Sequence, residues 1–250
     1  MILSVPSYVI PGTYAENLRF LADKPDVRGV ELLFYFWDDE TRRLLDRESK
    51  EIRSFDGRFR FTAHLPDRVG PEHRVVLEAT EAFARSWVVH PPRETSEIPA
   101  FAGLVDEWRS RFGDRFFLEN VRLPTFEAAR RTLPDIPLCV DAGHLMMGGK
   151  DPASFVADLL AEGRRVEEIH LHGLSGGKDH RPFVRGAAWL RDLAPFLRSF
   201  EGVAEIELFA WDEAAEALDA IRAVTGESAE ATEATVPVRL PARGTGKETA

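Results

Sequence analysis

The residues in this sequence most able to do chemistry are its histidines and the acids around them. Seven histidines occur: His64, His73, His90, His144, His170, His172 and His180. Four acids stand in similar contexts: Glu119 in FFLENV, Asp141 in LCVDAGH, Asp179 in GKDH and Glu207 in EIELF. Imidazole and carboxylate together are ligands for Zn²⁺, Mn²⁺ or Fe²⁺. Carboxylates gathered in one place raise one another's proton affinity unless a cation sits among them. No cluster of Lys or Arg accompanies these residues. The chemistry they point to is a divalent metal site, with more than one ion. Two metals a few ångströms apart can clamp the attacking and leaving oxygens of a phosphoester and acidify the attacking water.

Such a site needs a scaffold that gathers residues spread over most of the chain. Eight short apolar runs read as strands: 2–5, 29–35, 58–64, 86–90, 115–121, 137–141, 167–173 and 204–209. They are rich in Val, Ile, Leu and Phe, as buried parallel strands are. Stretches with helical spacing lie between them, among them AENLRFLAD, EHRVVLEATEAFARS, AFAGLVDEWRSRF, PASFVADLLAEG, AAWLRDLAPFLRSF and DEAAEALDAIRAV. Eight strands alternating with helices predict an α/β fold, a single (β/α)8 TIM barrel over residues 1–225. The alternative, an open doubly wound sheet, lacks its GxGxxG turn here. Residues 226–250 carry no periodicity and read as a flexible C-terminal tail.

In a barrel the C-terminal ends of all strands meet at one rim, where active sites are built. Every histidine but His73 falls at or just beyond such an end, and His73, at a helix start, reads as solvent exposed. His64 to His90 is 26 residues, His90 to Glu119 is 29, Glu119 to Asp141 is 22 and Asp141 to His170 is 29, which suits successive βα units. His170 and His172 share a strand face, so both can point inward, or one can back the other. Glu205 and Glu207 also share a face, and Glu207 is the rim candidate because it lies nearer the strand end. Glu31, an acid inside an apolar run, is either a rim residue or a buried partner for a cation. Asp151 of KDPAS reads as a helix cap.

Composition narrows the possibilities. The 250 residues include 32 Lys+Arg and 42 Asp+Glu, for a formal charge of −10, which argues against a nucleic-acid partner. One cysteine, Cys139, excludes an intrachain disulfide framework and a Cys-based zinc finger. No apolar run approaches a membrane span, and the N-terminal stretch lacks the pattern of a signal peptide. The expectation is a cytoplasmic protein with no membrane partner; its oligomeric state is left open.

In order along the chain, TAHLP, VVHPP, LENV, DAGH, IHLHG and KDH resemble the xylose isomerase-like barrels, which include endonuclease IV and sugar isomerases and epimerases. The resemblance implies one divalent metal held by Glu119, Asp141, His170 and Glu207. It also implies further ions on His64, His90, His144 and Asp179 with His180, as in endonuclease IV. The segments PSYVIPGTYAENLRFL, VELLF, CVDAGHLMMGGKD and IHLHG followed by GKDH are similar to the cobamide-remodelling phosphodiesterases (the CbiR type). That likeness implies hydrolysis within the nucleotide loop of a vitamin B12-type corrinoid, with Glu119 or Glu207 orienting water and His172 or His180 protonating the leaving oxygen. Tyr35, Phe36 and Trp37, in the locally diverged YFWDDE segment, would form an apolar wall for the corrinoid, or else pack at the strand end. Two alternatives remain: a one-metal sugar or inositol isomerase/epimerase using Glu119 and Glu207, and an endonuclease IV-like apurinic-site nuclease.

Overall fold

The computed structural model describes residues 1–226, so the expected tail lies outside the described residues, apart from its first glycine. Eight parallel strands close into a barrel: β1 (Ile2–Pro6), β2 (Gly29–Leu33), β3 (Arg60–His64), β4 (Ala84–Val89), β5 (Phe116–Glu119), β6 (Leu138–Asp141), β7 (Val166–Leu171) and β10 (Val203–Ile206). Strand β1 closes the ring between β2 and β10. The intervening helices are α1 (Tyr14–Ala22), α2 (Asp39–Ser54), α3 (Glu72–Thr80), α4 (Ile98–Phe112), α5 (Leu123–Thr132), α6 (Ala142–Met147), α7 (Pro152–Ala161), α8 (Ala188–Ser199) and α9 (Trp211–Thr225). Among the described residues no helix is long and apolar enough to cross a membrane.

Alternation along each strand sorts the side chains. On β7, Ile169 and Leu171 join the apolar layer beneath the helices, while Glu168 and His170 take the opposite, inner face. Val88, Phe117 and Cys139 form a separate apolar cluster on β4, β5 and β6. Four helices enter on a side-chain cap. Thr13 and Glu16 form a capping box at α1, and the carboxylates of Asp38, Asp141 and Asp151 accept from backbone N–H groups at the starts of α2, α6 and α7.

Three features depart from the sequence reading. The helical spacing over 72–86 breaks after Thr80, and β4 begins at Ala84. Thr80 Oγ1 bonds back to the Val76 carbonyl and accepts from the Trp87 indole at 2.9 Å, so the chain turns there. His73 is not in solvent. It is fully buried, stacked on Trp108 with centroids 5.3 Å apart, because α3 turns that face onto α4. Between β7 and α8 the chain adds a small antiparallel hairpin, β8 (Gly173–Ser175) and β9 (Lys178–Arg181). Gly176 and Gly177 form its two-residue turn at φ +60° and +73°, a backbone that L side chains disfavour.

Candidate metal centre

All strands point the same way, so their C-terminal ends converge. His64 closes β3, Glu119 closes β5 and Asp141 closes β6, while His90, His172 and Glu207 follow β4, β7 and β10 within one residue. His144 comes from the first turn of α6, and Asp179 and His180 come from β9, which folds over the rim. All eight sequence-nominated metal ligands therefore meet at one mouth. His172 meets them there as well.

Glu119 is the hub. One of its oxygens lies 3.2 Å from His64 Nε2 and 2.7 Å from His90 Nε2; the other lies 3.6 Å from both His144 Nδ1 and His170 Nδ1. His170 Nδ1 is also 3.5 Å from Glu207 and 4.0 Å from Asp141. His144 Nε2 reaches toward Asp179 at 3.7 Å, and His180 Nε2 toward Glu207 at 3.4 Å. His172 lies deeper than His180: its Nε2 is 3.2 Å from Asp141, and its Nδ1 accepts the His180 backbone N–H. The two rings stack at 4.3 Å, and His180 takes a left-handed backbone at φ +49°. Gly143 makes this possible, since a Cβ there would stand 1.8 Å from the His172 ring.

The donor set suits divalent ions. Potential ligand atoms fall within 4.8 Å of one another in five overlapping groups, four at the rim (His64–His90–Glu119, Glu119–Asp141–His170, Asp141–His172–Glu207 and His144–His172–His180) and Glu31–Glu168–His170 below it. Mixed nitrogen and oxygen donors at such spacing match Zn²⁺, Mn²⁺ or Fe²⁺. Buried atoms here also lack hydrogen-bond partners, among them Glu207 Oε2, His144 Nδ1 and both nitrogens of His170. Buried polar atoms are otherwise almost always satisfied, so these fit a ligand.

The charges answer one another. Burial opposes ionisation of Glu119, yet the facing His90 and His170 hold its carboxyl well below the usual range. Burial likewise opposes charge on Glu207, and His170 and His180 hold it low. Burial disfavours the imidazolium forms of His90 and His144, but their carboxylate neighbours carry both up to about 9. Ions entering this cluster displace protons, so affinity rises with pH.

Three contributors were not among the nominated ligands. Tyr35 donates its hydroxyl to Glu207 Oε1 at 2.6 Å, Asp67 stands 2.8 Å from His90 Nδ1, and Asn120 ties β5 to β6 through two bonds with the Asp141 backbone. Asp67 follows His64 by three residues in TAHLPD and Asn120 follows Glu119 directly, but a tyrosine beside Phe and Trp carries no polar signal. The centre opens into a cavity of about 320 Å³ lined in part by Tyr35, Phe36, Val121 and Phe209. Phe36 is 80% exposed, whereas Trp37 packs edge-on against Phe34.

The chain is similar to a number of solved structures, three of them as follows. A D-tagatose 3-epimerase-like protein matches at 16% identity and TM-score 0.63, over 91% of this chain and 99% of that one. An IolI protein with a bound zinc atom matches at 14% identity and TM-score 0.64, over 94% and 100%. A xylose isomerase domain-containing protein from Salmonella typhimurium matches at 13% identity and TM-score 0.54, over 92% and 96%. The chain has the xylose isomerase-like barrel fold. No family model and no curated protein matches the sequence. In this xylose isomerase-like barrel, the rim of imidazoles and acids occupies the end where such barrels carry chemistry.

Proposed function

We infer that this barrel is a metal-dependent phosphodiesterase that cleaves the nucleotide loop of cobamides. One observation carries the reading: the rim holds more donors than one ion can use, in overlapping groups joined through Glu119, Asp141 and His172. Glu119, Asp141, Glu207, Asp179, His64, His90, His144 and His170 would hold the ions. When bound, divalent ions would polarise the phosphoryl oxygens and acidify water. Glu207, fixed by the Tyr35 hydroxyl, has one oxygen free of hydrogen bonds to orient that water. His180 lines the cavity beside Phe209 and can hand a proton to the leaving ribosyl oxygen, with His172 supporting its backbone from below. The exposed Phe36 and the Phe209 ring give the cavity an apolar side suited to a corrinoid.

A sugar isomerase or epimerase is the second reading. It is favoured by the likeness to the D-tagatose 3-epimerase-like protein and by Glu119 and Glu207 flanking His170 at 3.6 and 3.5 Å. It uses one metal and leaves His64, His90 and His144 without a joint purpose. A charge of −10 disfavours a DNA nuclease, and tight binding of abasic duplex at physiological salt would reverse that judgement. The deciding experiment incubates metal-loaded protein with a cobamide and analyses the products by mass. Cobinamide phosphate and the lower-ligand nucleoside are expected. Intact cobamide alongside turnover of sugars would transfer the assignment to the isomerase.

A further inference from the structure

Three buried acids are left unused by the rim. Glu31 on β2, Glu168 on β7 and Glu205 on β10 have no exposed surface. Glu168 and Glu205 precede His170 and Glu207 by two residues, so they share the inner strand face one level deeper. None of the six carboxylate oxygens has a hydrogen-bond partner. Neither lysine nor arginine is fully buried among the described residues. Two further polar groups face this pocket unpartnered and fully buried. Ser4 Oγ comes from β1, where Ser4 lies in register with Glu205. His170 Nε2 comes from above, 3.7 Å from Glu31 and 3.8 Å from Glu168.

Three dry carboxylates cannot stay ionised together without a counter-charge. One positive ion would serve all of them. The geometry points to a hard divalent cation held below the rim by Glu31 and Glu168, whose carboxylate oxygens and His170 Nε2 lie within 4.8 Å of one another, with Glu205 and Ser4 Oγ beside them. An all-oxygen site of this kind takes Mn²⁺ or Ca²⁺. His170 then links two levels. Its Nε2–H points to Glu31 and Glu168, which leaves the Nδ1 lone pair for the rim. This site is independent of what the rim cleaves.

The test uses the full chain folded in Mn²⁺, exposed briefly to EDTA and analysed for bound metal. An E119Q/D141N/E207Q rim variant should keep one Mn²⁺ per chain, released only on unfolding, because the acids that hold it have no exposed surface. Adding E31Q and E205Q should remove it. A folded rim variant that keeps no Mn²⁺, or keeps it despite E31Q and E205Q, overturns the proposal. Should the rim variant fail to fold, anomalous diffraction from wild-type crystals grown with Mn²⁺ decides. A peak between Glu31 and Glu168 supports the site, and peaks confined to the rim overturn it.

Discussion

Replacing Gly143 by Ala sets helix propensity against packing, and the two predict opposite signs. Gly143 lies within α6, where Ala for Gly favours the helix by about 1 kcal/mol. The structure argues the reverse. The new Cβ would stand 1.8 Å from His172 Cε1 and 2.2 Å from its Nδ1, whereas carbon contacts settle at about 3.5 Å. The ring must retreat by roughly 1.7 Å to reach that contact distance, yet it is fully buried and backed by the His180 ring. Overpacking of this kind costs about 1–3 kcal/mol, and losing the His172–Asp141 bond adds about 1 kcal/mol. The net loss of about 1–3 kcal/mol, after the helix gain, lowers Tm by roughly 2–12 °C in a chain of this size. Calorimetry on metal-free protein measures it without the contribution of bound ions. His172→Ala removes the obstacle, so G143A/H172A should lose less than the two single variants added together. A single variant that melts with the wild type, or strictly additive losses, would refute the idea that Gly143 exists to admit His172.

Three other changes probe the centre and the core. Glu119→Gln should abolish rim metal and turnover together, leaving the interior ion alone, as measured by elemental analysis and product assay; a full rim complement with turnover would remove Glu119 from the ligand set. Tyr35→Phe deletes the donor to Glu207 and should cut kcat about 10–100-fold with metal content unchanged; an unaffected kcat would show that Glu207 needs no such support. Burial holds His73 at a pKa of about 4, against about 6.5 in the unfolded chain. Between those values the unfolded chain carries the extra proton, so stability falls as pH drops through that window, by up to about 3 kcal/mol. His73→Phe keeps a ring on Trp108 and should flatten this slope in denaturant titrations from pH 7 to 4.5; an unchanged slope would place the acid sensitivity elsewhere.

The barrel was legible because its strands are buried on both faces. Runs such as VELLF and PLCVD leave few other structures for them, and eight in alternation with helices leave one architecture. The rim was legible for a related reason: a histidine or acid that ends an apolar run stands out, and closure of the barrel brings those ends together. Helix α2 left a weaker trace, since of its 16 residues only Leu45 and Ile52 are buried. His73 misled because polarity says nothing of a neighbour such as Trp108, 35 residues away, that offers its ring a stacking face. The support of the site was harder still. Tyr35 and Glu207 are 172 residues apart and meet through a single hydroxyl, a contact that no local pattern encodes. The interior acids mark the same limit from the other side. Their residue types were visible at 31, 168 and 205, but only the register of β1, β2, β7 and β10 makes them neighbours. An acid within an apolar run therefore becomes informative once its counter-charge is sought in space. Here the search finds other acids and one imidazole, which is why a cation belongs among them.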